Sequence, residues 1–247
     1  MTWVTRFLNS SIGMKLVMAI TGVILFGFVI AHLLDNLTVF GGPGVMNEFA
    51  MRLHQFEALL WVMRVGLIVA VLGHIVSSVK LTEKNRAARP VAYAHEATVR
   101  ASWTSRTMLA SGMMVLAYVV YHLLHFTFRT TNPEISHLVD AQGRHDVYSM
   151  VVRSFQQPLI SITYVVAMVL LGFHLNHGIA SFFQTLGLNH PRYTPFINKA
   201  GPVLGALIVL GYISIPLSVM FGVLEPGAAG AAGAVGANGA GAVPPAH

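Results

Sequence analysis

Six histidines lie inside the long apolar stretches of this 247-residue sequence, which has twelve histidines in all against nine carboxylates. An imidazole can ligate haem iron or carry protons, and an ionisable side chain within a membrane span is costly enough to indicate a function. A single one can also serve as a hydrogen-bonding group between helices. The six are His32, His74, His122, His125, His174 and His177.

The absence of cysteine narrows the chemistry that these histidines could perform. With zero cysteines, the chain can form no disulfide, no cysteine-held iron–sulfur cluster, no thiolate-ligated haem and no covalent C-x-x-C-H haem attachment. Haem held by imidazole and histidine-based proton transfer remain.

Five apolar stretches must position the histidines, and each is long enough to cross a bilayer. The chain is 55% hydrophobic and only 10% charged, far from the composition of a soluble domain. We therefore predict an all-α integral membrane protein, a five-transmembrane-helix bundle over residues 1–224. The first stretch is expected to be a retained helix and not a signal peptide. The predicted spans are 16–34, 59–79, 107–128, 158–183 and 202–224. The Ala/Gly-rich tail, 225–247, is predicted to be disordered.

The distribution of Lys and Arg predicts the topology. Ten of these residues fall on the loops of one side and five on the other, which places the N-terminus in the cytoplasm and the C-terminal tail outside the cell membrane. The cytoplasmic charges flank the spans, so we expect them to contact anionic lipid headgroups and not nucleic acid.

Two of the histidines are predicted to lie at the same depth near the outer face. His32 lies 17 residues beyond Lys15 on an outward-running helix, and His122 lies 16 residues beyond Arg106 on another. At about 1.5 Å per residue, both are about 25 Å above the inner surface.

A second pair is predicted near the inner face. His74 precedes Lys80 by six residues, or about 9 Å, and His174 follows Pro158 by 16 residues, or about 24 Å below the outer surface. Four helices thus supply two pairs of imidazoles at two depths, the arrangement needed for two bis-histidine b-type haems.

His125 and His177 each lie three residues after a proposed ligand. Either could replace its neighbour if the helix register differed by one turn, although depth favours His122 and His174.

Several other residues are candidates for contacts with the haems. Gly22 and Gly112 each precede an outer histidine by ten residues, which places them level with the inner pair, where they could leave room for a haem or simply allow close helix packing. Arg64 is predicted to be level with the outer pair and could bind a haem propionate or snorkel to the interface. Lys80 and Arg106 are the corresponding candidates at the inner haem.

Two sequence segments resemble the dihaem cytochrome b membrane-anchor subunit of succinate dehydrogenases and fumarate reductases. The resemblance covers residues 10 to about 222 and is most specific on the fourth span. The first segment contains Ser10-Ser11-Ile12-Gly13, Lys15, Met18-Ala19, Thr21-Gly22 and Ala31-His32-Leu33. The second runs from Phe173-His174-Leu175-Asn176-His177-Gly178 through Ser181-Phe182-Phe183-Gln184-Thr185-Leu186-Gly187.

The resemblance implies that His32 and His122 ligate the outer haem iron and that His74 and His174 ligate the inner one. It also implies two partners on the cytoplasmic face, a flavoprotein with the dicarboxylate site and an iron–sulfur protein, and menaquinone as the quinone. The chain has neither cysteines nor a dinucleotide-binding motif, so it cannot perform the dicarboxylate chemistry itself. The expected enzyme is a succinate:quinone oxidoreductase, with this chain as its quinone-reactive subunit; the sequence does not fix the direction of the reaction.

Reduction of a quinone near the outer surface also requires protons, and Glu48, Glu57 and Asp35 are the available carboxylates. Each could equally be an ordinary loop charge. A second quinone site near Ser11, Lys15 and Arg106, and a dimer or trimer of the whole complex, are left open.

Two alternatives carry different predictions. A dihaem anchor of another dehydrogenase would bind the same haems but different soluble subunits. A transporter or proton channel with histidine relays would bind no haem.

Overall fold

The computed structural model describes residues 2–88, 107–188 and 190–227, and over these residues it contains helices and turns but no strand. The all-helical fold class is therefore confirmed for the described part of the chain. Arg106 and all but the first three residues of the predicted tail, 225–247, lie outside it. The α-helices are α1 (Trp3–Leu8), α2 (Ser11–Asn36), α3 (Gly42–His54), α4 (Glu57–Ala87), α5 (Met108–His122), α6 (Val147–Phe155), α7 (Pro158–Thr185) and α8 (Thr194–Met220).

Five helical stretches are long and apolar enough to cross a membrane, as predicted. Large apolar side chains on them are exposed, including Val62 at 70%, Leu72 at 57% and Leu207 at 59%. Such surface is unfavourable in water but matches lipid tails, so the fold supports a multi-pass membrane protein. The stretches are Ser11–His54, Glu57–Ala87, Met108–Thr127, Pro158–Thr185 and Thr194–Met220.

The helix of the fifth predicted span, α8, differs in its bounds from the prediction of 202–224. It begins at Thr194, with Pro195 in its first turn, and ends at Met220. Proline is favoured in the first turn of a helix because its missing N–H has no intrahelical partner there. Pro202 lies inside the helix. An apolar run marks only the part of a helix that crosses hydrocarbon, whereas the helix itself continues into the polar interface.

The chain divides into two units. The first comprises Met1–Leu33, Ala58–Leu116 and Val169–Val209. Within it, α7 and α8 approach closely through glycine: a Cβ atom added at Gly172 would lie 2.5 Å from Cγ2 of Val209, and one at Gly201 would lie 2.8 Å from the carbonyl oxygen of Asn176. Small residues at such positions permit the close backbone approach that helix association in membranes uses.

The second unit comprises Leu34–Glu57, Ala117–Met168 and Leu210–His247. Its core forms around α6, which packs against α3. Val39 and Val152 are fully buried there, together with Tyr148 and Phe155. Neither α3 nor α6 was identified from the sequence, because their apolar stretches are too short to span a bilayer. In this unit α6 buries most of its side chains, whereas α3 buries only Met46 and Asn47.

Polar side chains connect α3 to the start of α6. Asn47, only 1% exposed, donates to Oδ1 of Asp146 at 3.0 Å and accepts from the Tyr148 amide at 3.0 Å. Oδ1 of Asp146 also accepts from the Ser149 amide at 3.0 Å and so caps α6. A buried carboxylate and amide with this many partners cost little to bury.

The turn before α6 is organised by Asp140. Its carboxylate accepts from the Arg144 amide at 2.9 Å, from Nε of Arg144 at 2.8 Å and from the Gln142 amide at 2.9 Å. Burial alone would raise the pKa of Asp140, but the hydrogen bonds that it accepts outweigh burial and hold this pKa below its ordinary value. The ionised form therefore stabilises the turn.

Candidate haem-ligand site

The rings of His74 and His174 lie next to each other within the first unit. His74 comes from α4 and His174 from α7, and their ring centres are 6.3 Å apart with an interplanar angle of 63°. Two imidazoles bonded to opposite sides of one metal ion through bonds of about 2 Å have ring centres about 6 Å apart. The spacing thus fits a pair of axial ligands.

The hydrogen bonds of His74 determine which ring nitrogen carries its proton. Nδ1 lies 3.2 Å from the carbonyl oxygen of Met18 and 3.3 Å from Oγ1 of Thr21. Since a carbonyl only accepts, Nδ1 is protonated and donates to Met18. Nε2 is then the unprotonated nitrogen, which is the form that binds a metal, and the bond to Nδ1 fixes the orientation of the ring.

His174 has the same arrangement on α7. Its Nδ1 lies 3.3 Å from Oγ of Ser111, and Oγ of Ser111 donates to the carbonyl oxygen of Met108 at 3.0 Å. Because the Ser111 hydroxyl already donates its proton to Met108, the oxygen of Ser111 accepts a hydrogen bond from Nδ1 of His174. Nε2 is again the unprotonated nitrogen. Both rings of this pair are therefore held in the tautomer that ligates iron.

The two glycines singled out by their spacing lie against these rings. A Cβ atom added at Gly22 would lie 3.5 Å from Cε1 of His74, and one added at Gly112 would lie 3.3 Å from Cε1 of His174. Each glycine directly follows the hydroxyl residue, Thr21 or Ser111, that contacts the same histidine. The Thr-Gly and Ser-Gly pairs thus give each ring a hydrogen-bond partner and space beside it.

His177, the alternative to His174, has a different environment. Its Nε2 lies 3.0 Å from Oγ of Ser181, one turn further along α7. That contact engages the nitrogen that a haem ligand would need, so the geometry favours His174.

His122 and His125 both contact Tyr164 in the second unit. Nδ1 of His122 lies 3.4 Å from the Tyr164 hydroxyl. His125 is only 1% exposed, and both of its ring nitrogens are engaged: Nδ1 with the Tyr164 hydroxyl at 2.9 Å and Nε2 with Oγ of Ser154 at 3.1 Å. A ring bonded at both nitrogens has none to offer iron, so the geometry favours His122 as the ligand.

His32 lies in the first unit, whereas His122 lies in the second. The His32 ring stacks on Phe28 with centres 5.3 Å apart and an interplanar angle of 10°. The pairing of His32 with His122 stays a prediction.

Of the three predicted propionate partners, the two that the structure describes, Arg64 and Lys80, are exposed. The Arg64 guanidinium lies 5.2 Å from the centre of the Trp61 ring, a cation–π contact typical of an arginine at a membrane interface. Lys80 is exposed, and Arg106 is outside the described residues.

The three candidate carboxylates have different surroundings. Glu48 forms an ion pair with Arg52 at 2.5 Å on the exposed face of α3. Glu57 is exposed in the first turn of α4, and Asp35 is half-buried near the end of α2. Asp35 is therefore better shielded from water than Glu57.

Tyr164 and the hydroxyls of Thr21 and Ser111 were not identified as site residues from the sequence. Tyr164 lies six residues after Pro158, or about 9 Å below the outer surface, which is close to the depth predicted for His122. The same depth calculation could therefore have identified it.

In the part of the chain that the structure describes, no three histidine or carboxylate side chains group as ligands of a single metal ion. A bis-histidine haem needs only two protein ligands per iron, and the His74 and His174 pair supplies them. Comparison with protein-family models, curated proteins and solved structures found no match.

Proposed function

We propose that this chain is the membrane-anchor cytochrome b subunit of a succinate:quinone oxidoreductase. The observation that supports it most directly is the His74 and His174 pair, with ring centres 6.3 Å apart and both Nδ1 atoms hydrogen-bonded to protein oxygens. A proton relay would need imidazoles able to exchange the proton at Nδ1, but Met18 and Ser111 hold both rings in one tautomer. Fixed tautomers favour axial ligation.

In this proposal His74 and His174 hold the inner b-type haem, and His32 and His122 hold the outer one. The haems, when bound, provide one-electron carriers between the soluble subunits and the quinone, with no open coordination position for oxygen. The protein's part is to fix the imidazoles: Met18 and Ser111 accept hydrogen bonds from Nδ1 of His74 and His174, and the Tyr164 hydroxyl lies 3.4 Å from Nδ1 of His122.

The proposed partners follow from the resemblance described above. A flavoprotein and an iron–sulfur protein dock on the cytoplasmic face, and menaquinone is bound near the outer surface in the cell membrane. Moving electrons outward from the negative interior is favoured by about 2.3 kcal/mol per charge per 100 mV. The membrane potential would therefore assist reduction of a low-potential quinone by succinate.

A pyridine haemochrome assay on the full chain, purified in detergent with protein quantified in parallel, tests the haem assignment. We expect about two b-type haems per chain. Single His74→Ala and His174→Ala substitutions should each leave about one, because either removes an axial ligand of the same iron. His177→Ala is the matched control and should retain both.

The absence of haem in the wild-type chain, expressed where other cytochromes are loaded normally, would refute the proposal and favour a histidine-relay transporter. Two haems with soluble partners of a different dehydrogenase would retain the haem sites and refute the succinate assignment.

The role of a carboxylate in quinone reduction is tested with three variants, Asp35→Asn, Glu48→Gln and Glu57→Gln. We expect the substitution at the proton-donating carboxylate to abolish quinone reduction by the assembled complex while two haems stay bound. Asp35 is the one that we expect to have this effect, since Glu48 is committed to Arg52. Normal turnover in all three variants would refute the role of these carboxylates.

A further inference from the structure

We propose that Tyr164, His125 and Ser154 form a hydrogen-bond chain that positions His122 and sets its strength as a ligand. This inference rests on the proposed function, in which His122 is an axial ligand of the outer haem. Tyr164, His125 and Ser154 do not contact iron in this assignment. They are positioning residues that act through His122.

The chain is continuous over three helices of the second unit. Nδ1 of His122 lies 3.4 Å from the Tyr164 hydroxyl, which lies 2.9 Å from Nδ1 of His125. Nε2 of His125 lies 3.1 Å from Oγ of Ser154, and this hydroxyl lies 2.7 Å from the carbonyl oxygen of Met150. The final acceptor is a main-chain oxygen, whose position is fixed by α6.

The carbonyl at the end fixes the direction of every bond. Since Met150 only accepts, Ser154 donates to it, and the serine oxygen accepts from Nε2 of His125. His125 is fully buried and the hydrogen-bond partners of its two ring nitrogens are neutral hydroxyls, so it is neutral, and its Nδ1 accepts from the Tyr164 hydroxyl. The tyrosine oxygen then accepts from Nδ1 of His122. Nε2 of His122 is left unprotonated, as a haem ligand requires.

Aromatic side chains enclose this chain. Phe126 stacks on His125 with ring centres 4.1 Å apart, and Phe155 meets Tyr164 edge to face at 5.1 Å. Tyr121 lies 5.9 Å from Tyr164. Such apolar surroundings keep water from competing for the hydrogen bonds and strengthen them.

A hydrogen bond donated from Nδ1 raises the basicity of the opposite nitrogen and stabilises the oxidised haem. Loss of the Tyr164 hydroxyl should therefore raise the reduction potential of the outer haem alone. It removes one neutral hydrogen bond, so we expect the reduction equilibrium of that haem to change by about threefold to tenfold.

The test is redox titration of both haems, followed optically, in wild type, Tyr164→Phe and the matched control Tyr121→Phe. His122→Ala identifies the outer haem as the one that it loses. We expect Tyr164→Phe to raise the potential of that haem and leave the other unchanged, and Tyr121→Phe to change neither. Loss of the outer haem alone in Tyr164→Phe would also support a positioning role.

Ser154→Ala and Ser154→Thr provide a second measurement. Ser154→Ala should shift the outer haem in the same direction by a smaller amount, and Ser154→Thr, which keeps a hydroxyl, should restore the wild-type potential. Two haems with unchanged potentials in Tyr164→Phe and Ser154→Ala would refute the hydrogen-bond chain and leave the proposed function intact. Absence of haem from the wild type would instead refute the proposed function.

Discussion

Of the two glycines beside the candidate ligands of the inner haem, Gly112 is the more sensitive to a small added side chain. A Cβ atom at Gly112 would lie 3.3 Å from Cε1 of His174, whereas one at Gly22 would lie 3.5 Å from Cε1 of His74, an ordinary van der Waals contact. Gly112→Ala thus requires the His174 ring to move by a few tenths of an ångström. Metal sites tolerate deviations of only about 0.2 Å in ligand distance.

We therefore expect Gly112→Ala to weaken binding of the inner haem, which would appear as a changed spectrum or a partial loss of haem. Gly112→Val should abolish binding of this haem. The haem content of the valine variant should fall from about two to about one per chain. Gly22→Ala should keep both haems. Gly66→Ala is the control, because a Cβ atom there would meet no atom within 4 Å.

Haem content and the optical spectrum of each purified variant provide the measurement. If the purified Gly112→Val variant bound two haems with an unchanged spectrum, His174 would not need the space beside Gly112. That result would refute the assignment of His174 as a ligand of the inner haem. Equal losses in Gly22→Ala and Gly66→Ala would point to a general packing defect.

His122→Ala should lose one haem, whereas His125→Ala should keep both. His125→Ala should instead lower the free energy of unfolding by about 2–5 kcal/mol, because it empties a buried site and removes one hydrogen-bond partner from each of the Tyr164 and Ser154 hydroxyls. Loss of a haem in His125→Ala but not in His122→Ala would reverse the ligand assignment. Asp140→Asn should destabilise the folded chain by about 1–3 kcal/mol at neutral pH, since it removes a charge that accepts from Arg144. The depressed pKa of Asp140 contributes stability above the ordinary value of about 3.9. That contribution is lost as pH falls through the folded pKa, so the gap in thermal midpoint between wild type and Asp140→Asn should close in acid; a gap independent of pH would contradict this.

The sequence by itself determined the five helices that are long and apolar enough to cross a membrane. Hydrocarbon requires a long uncharged run for each crossing, and this requirement is local, so it can be counted along the chain. The rise per residue also placed His74 and His174 at a common depth, and in the structure their ring centres are 6.3 Å apart. Helix ends were less well predicted, because α4 and α8 continue beyond the apolar run.

Only the tertiary structure decided which atoms meet. Depth does not specify the rotation of a helix about its axis, so the sequence left His122 and His125 as alternatives one turn apart. The structure gives them different surroundings, because Tyr164 and Ser154, from two other helices, engage both nitrogens of His125. The proton positions on His74 and His174 likewise depend on partners from neighbouring helices. Contacts of this kind arise from packing between segments distant in sequence, which no spacing along a single helix encodes.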